Sequence, residues 1–221
     1  MGGGKSYSTI NSCKSALSLV LPISNSDENG IKRFLKPQKP KYDSTWDTNL
    51  VLTYLEKLQP TVNLSFENMS LKLVTLLAII SAHRLQTFAK IKLKHIKRFE
   101  DRIEVYIPDR IKTTRKGRYQ PLIIIPFFNE RPKLCLASLL MAYIEKTKDF
   151  RTNDNDTLIL TYKKPHHSAT VQTISRRVKT VLHKSGVDTF IYSSYSTRHA
   201  ASSAAYRAGV NIEEIRKRAG W

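Results

Sequence analysis

One stretch of the sequence, residues 68–83, constrains the fold more than any other. It reads NMSLKLVTLLAIISAH, and its apolar side chains fall on nearly every side of the predicted helix. Such a helix has no face suited to water, so other elements must surround it. Its longest unbroken apolar run, residues 76–80, is far below the roughly 18 residues that span a membrane. We therefore predict a globular domain around a central helix, with no membrane partner.

The remaining periodicity predicts a mostly helical α+β fold with a small antiparallel sheet. RIEVYI at 102–107 alternates as strands do, PLIIIP at 121–126 is a β-branched run, and a charged tip joins them as a hairpin. A further short strand is predicted at 157–162. Gly209 and Gly220 stand where helices commonly end. Helical spacing predicts the other helices at 46–58, 132–147, 168–185, 196–209 and 211–219.

A proline-containing basic linker at 22–42 indicates a domain boundary near residue 44. One predicted helix, at 8–21, precedes the linker, and it is too small to enclose a core of its own. We predict that residues 1–44 are the tail of another domain and that residues 45–221 form the main domain.

Positive charge dominates the composition, with 37 Lys and Arg against 18 Asp and Glu and a net charge of +19. So large an excess repels itself in a compact fold and favours a polyanionic partner. Residues 90–118 hold eleven of the cations and only four acids, a net +7. Lys90, Lys92 and Lys94 alternate, which would place them on one side of an extended strand. The charged tip adds Arg115, Lys116 and Arg118.

We predict that these six cations contact the phosphates of double-stranded DNA. A solvated charged face is the alternative for such a run. An RNA-binding function is less favoured, because no aromatic stacking motif accompanies the charge.

Cysteine and histidine usage indicates neither a disulfide framework nor a metal site. The two cysteines, Cys13 and Cys135, show no ligand spacing, and the six histidines form no convincing ligand set. We expect no metal and no cofactor.

No apolar leader segment follows the N-terminus. The basic charge then predicts an intracellular protein located in the nucleus.

Two arginines occupy unusual positions. Arg84 closes the apolar helix in SAHRLQ, where it either caps the helix and pairs with an acid or holds a phosphate through its planar donor fork. Arg198 opens an Ala- and Ser-rich helix, at an end that favours anions, which indicates a shared phosphate. Lys112 lies in the charged tip, where a flexible amine could reach a phosphate ester, although alone it says little.

Three blocks in order resemble the tyrosine recombinases of the phage integrase family, most closely those of DIRS-like retrotransposons. The blocks are SAHRLQTFAKIKLKHI with Arg84, IKTTRKGR with Lys112, and YSTRHAASSAAYRAGVNIEEIRKRAGW with Arg198 and Trp221. Arg84 precedes Lys112 by 28 residues and Arg198 by 114, and Trp221 follows Arg198 by 23. The resemblance covers residues 45–221 and implies that residues 1–44 are a remnant of the helical core-binding domain with its linker.

The resemblance implies DNA strand breakage and rejoining through a phosphotyrosine link, and self-association on DNA. Arg84 and Arg198 would neutralise the pentavalent transition state. Lys112 would protonate the leaving 5′ oxygen, and Trp221 would donate its indole N–H to a phosphate oxygen.

Two departures from the family pattern bear on activity. Tyr195 stands where the family usually has histidine, and Thr87 stands where an acidic residue is common. The family's nucleophilic tyrosine lies about nine residues beyond the Trp221 position, where this sequence does not extend. The domain is therefore expected to be incomplete, either as part of a recombinase or as a non-catalytic DNA-binding transposon relic. Whether these residues act as an enzyme stays open.

Overall fold

The computed structural model describes residues 44–109, 120–151 and 155–220. The chain divides into two units, Met1–Asp43 and Ser44–Trp221, and every described residue belongs to the second. The described α-helices are α1 (Thr48–Lys57), α2 (Phe66–Ser81), α3 (Leu85–Phe88), α4 (Leu136–Lys146), α5 (Val171–Lys184), α6 (Ser196–Arg207) and α7 (Ile212–Arg218). The strands are β1 (Ile96–Arg98), β2 (Arg102–Tyr106) and β3 (Leu122–Pro126).

Helix α2 is the centre of the fold, as its sequence predicts. Ser65 caps its start by accepting a hydrogen bond from the Asn68 amide at 3.2 Å. Eleven of its residues are buried, and α4, α5 and α6 pack around it. One of the eleven is Lys72, whose Nζ donates to the Leu58 carbonyl at 2.8 Å. Burial lowers the pKa of Lys72 to about 8, so this ammonium group costs stability at neutral pH.

The small sheet contains the predicted hairpin. Strand β2 pairs antiparallel with both neighbours, in the order β1-β2-β3. The register places Ile103 opposite Ile125 and Val105 opposite Ile123, and all four side chains are buried on the inner face. The inward-outward alternation that predicted these strands is therefore the alternation that buries them. Strand β1 was not predicted, because its three residues carry too little pattern.

The predicted strand through Lys90, Lys92 and Lys94 is wrong. Only Lys92 is bridged, to Thr157, and a 3₁₀ turn at Leu93–His95 follows at once. The Leu93 amide donates to the Asp156 carbonyl at 2.8 Å. This contact with a distant segment replaces a ladder, so the three lysines do not share one side of a strand.

The predicted strand at 157–162 is also wrong. The segment is buried at Leu158, Ile159 and Leu160, but it forms isolated bridges rather than a sheet. Two arginine side chains replace a strand partner. Arg151 donates to the carbonyls of Thr157 and Leu158, and Arg177 donates to that of Leu160. Guanidinium donors from remote residues are invisible to a local apolar pattern.

Across the described part of the chain, helix lengths and apolar content fall short of what crossing a bilayer requires.

Candidate phosphate-binding site

The site begins at a left-handed turn that ends α2. Ala82 adopts φ 50° and ψ 19°, a conformation that costs a non-glycine residue about 1 kcal/mol or more. Its side chain is buried in a cluster with Ala201 of α6 and Ala219 at the end of α7. This packing holds the strained turn in place. The chain is thereby redirected, and Arg84 leaves the axis of α2.

Arg84 begins α3 instead of capping α2. Its backbone is extended, with φ −70° and ψ 141°, and its carbonyl accepts from the Thr87 amide at 2.8 Å. The side chain is partly buried. Among the described residues, no ion pair includes Arg84. Pairing with an acid, one of the two interpretations from sequence, is therefore not found within this part of the structure.

Arg198 lies in the first turn of α6, as its sequence predicts. The start of this helix is fixed by Ser196, whose amide and hydroxyl both donate to the Ser193 carbonyl, at 2.9 and 2.6 Å. The buried Trp46 indole in turn donates to the Ser196 hydroxyl at 2.8 Å. Trp46 and Ser196 were missed by sequence reasoning, because a contact across 150 residues leaves no local signal.

Arg84 and Arg198 lie close enough to interact electrostatically. The pKa of Arg198 is lowered to about 10, first by partial burial and second by the positive charge of Arg84. A helix N-terminus adds its own positive potential at the same place. Two guanidinium groups that are partly removed from water and that repel each other form a site suited to an anion.

A third basic group, His83, lies beside them and was also missed. Its side chain is 5% exposed, and its Nδ1 lies 3.0 Å from the Ser81 carbonyl. Burial is the main cause that lowers the pKa of His83; the Ser81 hydrogen bond opposes it, and Arg198 and Arg84 lower it further. The signal in the sequence was its place next to Arg84, at the end of an apolar helix.

Tyr195 lies at the start of α6, three residues before Arg198. Its side chain is 60% exposed, and it makes no capping hydrogen bond to the helix. The structure thus places the two predicted residues at one helix end, with the phenol directed mostly to solvent. Thr87, the other departure from the family pattern, is buried in α3.

The predicted DNA-binding lysines differ from one another in their surroundings. Lys90 is exposed and belongs to none of the ion pairs between described residues. Lys92 Nζ lies 3.7 Å from an Asp109 oxygen, and Lys94 Nζ lies 3.9 Å from one of Asp156. Each of these two lysines therefore already has a carboxylate partner.

The other predicted site residues lie outside the described part of the chain. They are Lys112, Arg115, Lys116, Arg118 and Trp221. The segment 110–119 that contains the first four follows paired backbone, since the Ile107 amide donates to the Pro121 carbonyl at 3.1 Å. Within the described ranges, no three His, Cys, Asp or Glu residues converge in a metal-binding group.

Comparison with known proteins gives the family of this domain. The model of the phage integrase family matches residues 50–221, so this chain belongs to the phage integrase family. A search of curated proteins found no match.

Solved structures show the same fold at low sequence identity. XerH site-specific recombinase bound to difH substrate is 12% identical, with a TM-score of 0.58 over 80% of this chain and 47% of that one. XerA recombinase is 16% identical, with a TM-score of 0.57 over 97% and 65%. A lambda integrase dimer bound to a COC' core site is 12% identical, with a TM-score of 0.53 over 97% and 70%. The chain thus spans about half the length of XerH.

Proposed function

We propose that this chain is the DNA-binding catalytic domain of a site-specific tyrosine recombinase, and that Arg84 and Arg198 together hold one phosphate of duplex DNA. The observation that carries the proposal is the pairing of two partly buried guanidinium groups at a helix N-terminus, with Arg84 free of any ion pair among the described residues. Such a pair becomes favourable when an anion lies between them.

The proposed chemistry is transesterification at that phosphate: a tyrosine hydroxyl forms a new ester bond to phosphorus while the bond from phosphorus to the 5′ oxygen of DNA breaks. The two arginines stabilise the pentavalent transition state, which carries more negative charge than the phosphodiester, so they bind it more tightly than the ground state. Lys112 is proposed to protonate the leaving 5′ oxygen and Trp221 to donate to a phosphate oxygen. Tyr195, which is 60% exposed, can donate a hydrogen bond there.

Duplex DNA and self-association on DNA are the proposed partners. The XerH and lambda integrase structures named above are complexes with DNA substrates, and the latter is a dimer. The net charge of +19 supports a polyanionic partner independently of the fold. A nuclear location and an origin in a DIRS-like retrotransposon rest on that charge and on the three sequence blocks; imaging of a fluorescent fusion and recovery of the encoding locus test them.

Fluorescence anisotropy with a labelled duplex tests the phosphate site. We expect Arg84→Gln to weaken binding by about 10- to 100-fold, since a charge-assisted hydrogen bond is worth about 1.5–3 kcal/mol. Arg207→Gln is the matched control, because Arg207 is exposed at the opposite end of α6 from Arg198. An equal loss of affinity in both variants would show that Arg84 acts only through the general positive charge of the protein. No loss of affinity in Arg84→Gln would refute the phosphate site.

A suicide duplex substrate separates a recombinase from a relic that binds DNA without cutting it. Residues 1–221 alone should form no covalent adduct, because none of their tyrosines matches the nucleophile by position. A chain extended by the downstream coding sequence should form one if that sequence supplies the tyrosine. An adduct with residues 1–221 would contradict the assignment of the nucleophile.

A further inference from the structure

His83 is the one buried histidine beside the two arginines in the described part of the chain, and the proposed mechanism does not use it. As a residue, His83 is 5% exposed. Its backbone amide donates to the Ser81 hydroxyl at 3.3 Å, and the ring contacts the carbonyl of the same residue. The ring is therefore held from the last turn of α2, immediately before Arg84.

The hydrogen bond to Ser81 determines which ring nitrogen carries the proton. A backbone carbonyl can only accept, so the Nδ1 atom donates across the 3.0 Å contact. In the neutral ring the Nε2 atom is then a bare acceptor. It faces Gly220, where an added Cβ would lie 3.3 Å away. A second proton can bind at Nε2 without breaking the bond to Ser81.

The charges around the ring are positive while the site holds no anion. Residues Ile79–Ala82 at the end of α2 carry no titratable group, Arg84 lies at the start of α3, and Arg198 lies on α6. On α7, the charged residues of the groove beside Ser81 are Glu214 and Arg218, which pair with each other at 2.7 Å. Their charges largely cancel, so the two active-site arginines set the potential at the ring.

We propose that His83 couples proton uptake to phosphate binding. Without DNA its ring is neutral and lies near two cations, and when a DNA phosphate neutralises those cations the ring takes a proton from solvent at Nε2. His83 then acts as a positioning residue that adds positive charge behind the arginines only in the bound state. This inference rests on the proposed function of the arginine site.

The coupling has a defined sign. The pKa of His83 lies below its usual range in the free protein, and a bound phosphate would raise it. DNA affinity is then highest at a pH below the His83 pKa of both the free and the DNA-bound protein. It falls as the pH rises from the pKa of the free protein to the pKa of the bound protein. One coupled proton changes the affinity by at most about tenfold per pH unit.

Duplex affinity of the full chain, measured from pH 5.5 to 8.0 at constant salt, tests the proposal. We expect the native chain to bind at least threefold more tightly at pH 6.0 than at pH 7.5. His83→Asn keeps a donor at the Nδ1 position but cannot titrate, and it should lose most of this gain. His199→Asn is the control, because His199 is exposed on α6 next to Arg198. A gain that persists in His83→Asn, or disappears in His199→Asn, would overturn the inference.

Calorimetry on the native chain supplies a second readout that does not depend on a variant. Binding enthalpies at pH 6.5, measured in buffers with different ionisation enthalpies, should give net uptake of a proton fraction per duplex. No uptake with tight binding would overturn the role of His83 and leave the phosphate site intact. Absence of duplex binding at every pH would instead refute the proposed function.

Discussion

Replacing Arg198 with methionine should stabilise the free protein while it weakens DNA binding. Methionine keeps the apolar stem of the arginine side chain and removes the charge. In the free protein that charge is partly buried and repelled by Arg84. With DNA bound, the same charge holds the phosphate. Stability and binding should therefore respond in opposite directions.

The pKa of Arg198 sets the magnitude. A pKa of about 10 lies more than two pKa units below the usual arginine value. One pKa unit corresponds to about 1.4 kcal/mol. The charge thus costs on the order of 3 kcal/mol before solvent screening is considered. Because the group is only partly buried, we discount this by about half and expect Arg198→Met to raise the free energy of unfolding by ~1–2 kcal/mol.

Urea unfolding in a buffer free of phosphate and sulfate provides the measurement, since such anions would occupy the site. Arg102→Met is the control for the substitution itself. The hydrogen bonds that Arg102 donates to Glu104 and Asp101 raise its pKa, so its removal should bring no gain in stability. Anisotropy should show at least a tenfold loss of duplex affinity for Arg198→Met. A loss of 1 kcal/mol or more in stability, or an affinity within twofold of the native chain, would refute the reasoning.

Three further predictions use the same assays. The pKa of Lys72 lies at about 8 in the folded protein, below its value in the unfolded chain. The free energy of unfolding of the native sequence should therefore rise from pH 7.5 to 9.5 relative to that of Lys72→Met. A difference between the two that does not change with pH would contradict this prediction. Gly220→Ala should cost about 1 kcal/mol more stability than Gly209→Ala in urea unfolding. Both glycines have positive φ, but only at Gly220 would an added Cβ contact a neighbouring side chain, the His83 imidazole at 3.3 Å. Equal losses of stability in the two variants would contradict this contact. Lys90→Ala should reduce the slope of log affinity against log salt by about 0.9. Lys94→Ala should reduce it by less, because Lys94 already has a carboxylate partner. Equal slopes for the two variants would show that the Lys94 ion pair does not affect DNA binding.

Local patterns predicted the elements whose stability is local or whose burial is periodic. Gly209 and Gly220 follow α6 and α7 with φ of 87° and 63°, as expected of residues that end helices. Strands β2 and β3 pair antiparallel, as the predicted hairpin requires, because side-chain alternation and burial are one property in a sheet. The predicted strand at 157–162 forms only isolated bridges, and its Leu158 and Leu160 carbonyls accept from Arg151 and Arg177 rather than from a strand.

The candidate site was predicted in part. The resemblance to tyrosine recombinases implied that Arg84 and Arg198 act together, and the structure places them within electrostatic reach. The sequence did not reveal that Arg84 starts a new helix, because the strained turn at Ala82 depends on contacts with α6 and α7. It also gave no role to His83, whose properties come from burial and from a cation 115 residues away.

The sequence alone determined the central helix, the hairpin strands and the excess positive charge. Each depends on side-chain type and on spacing within a few turns or strands, which the amino-acid order records directly. Tertiary structure decided which charges face one another, which carbonyls the buried arginines satisfy, and where α2 turns to release Arg84. Those outcomes depend on the distance between residues far apart in the chain, and that distance exists only once the helices have packed around α2.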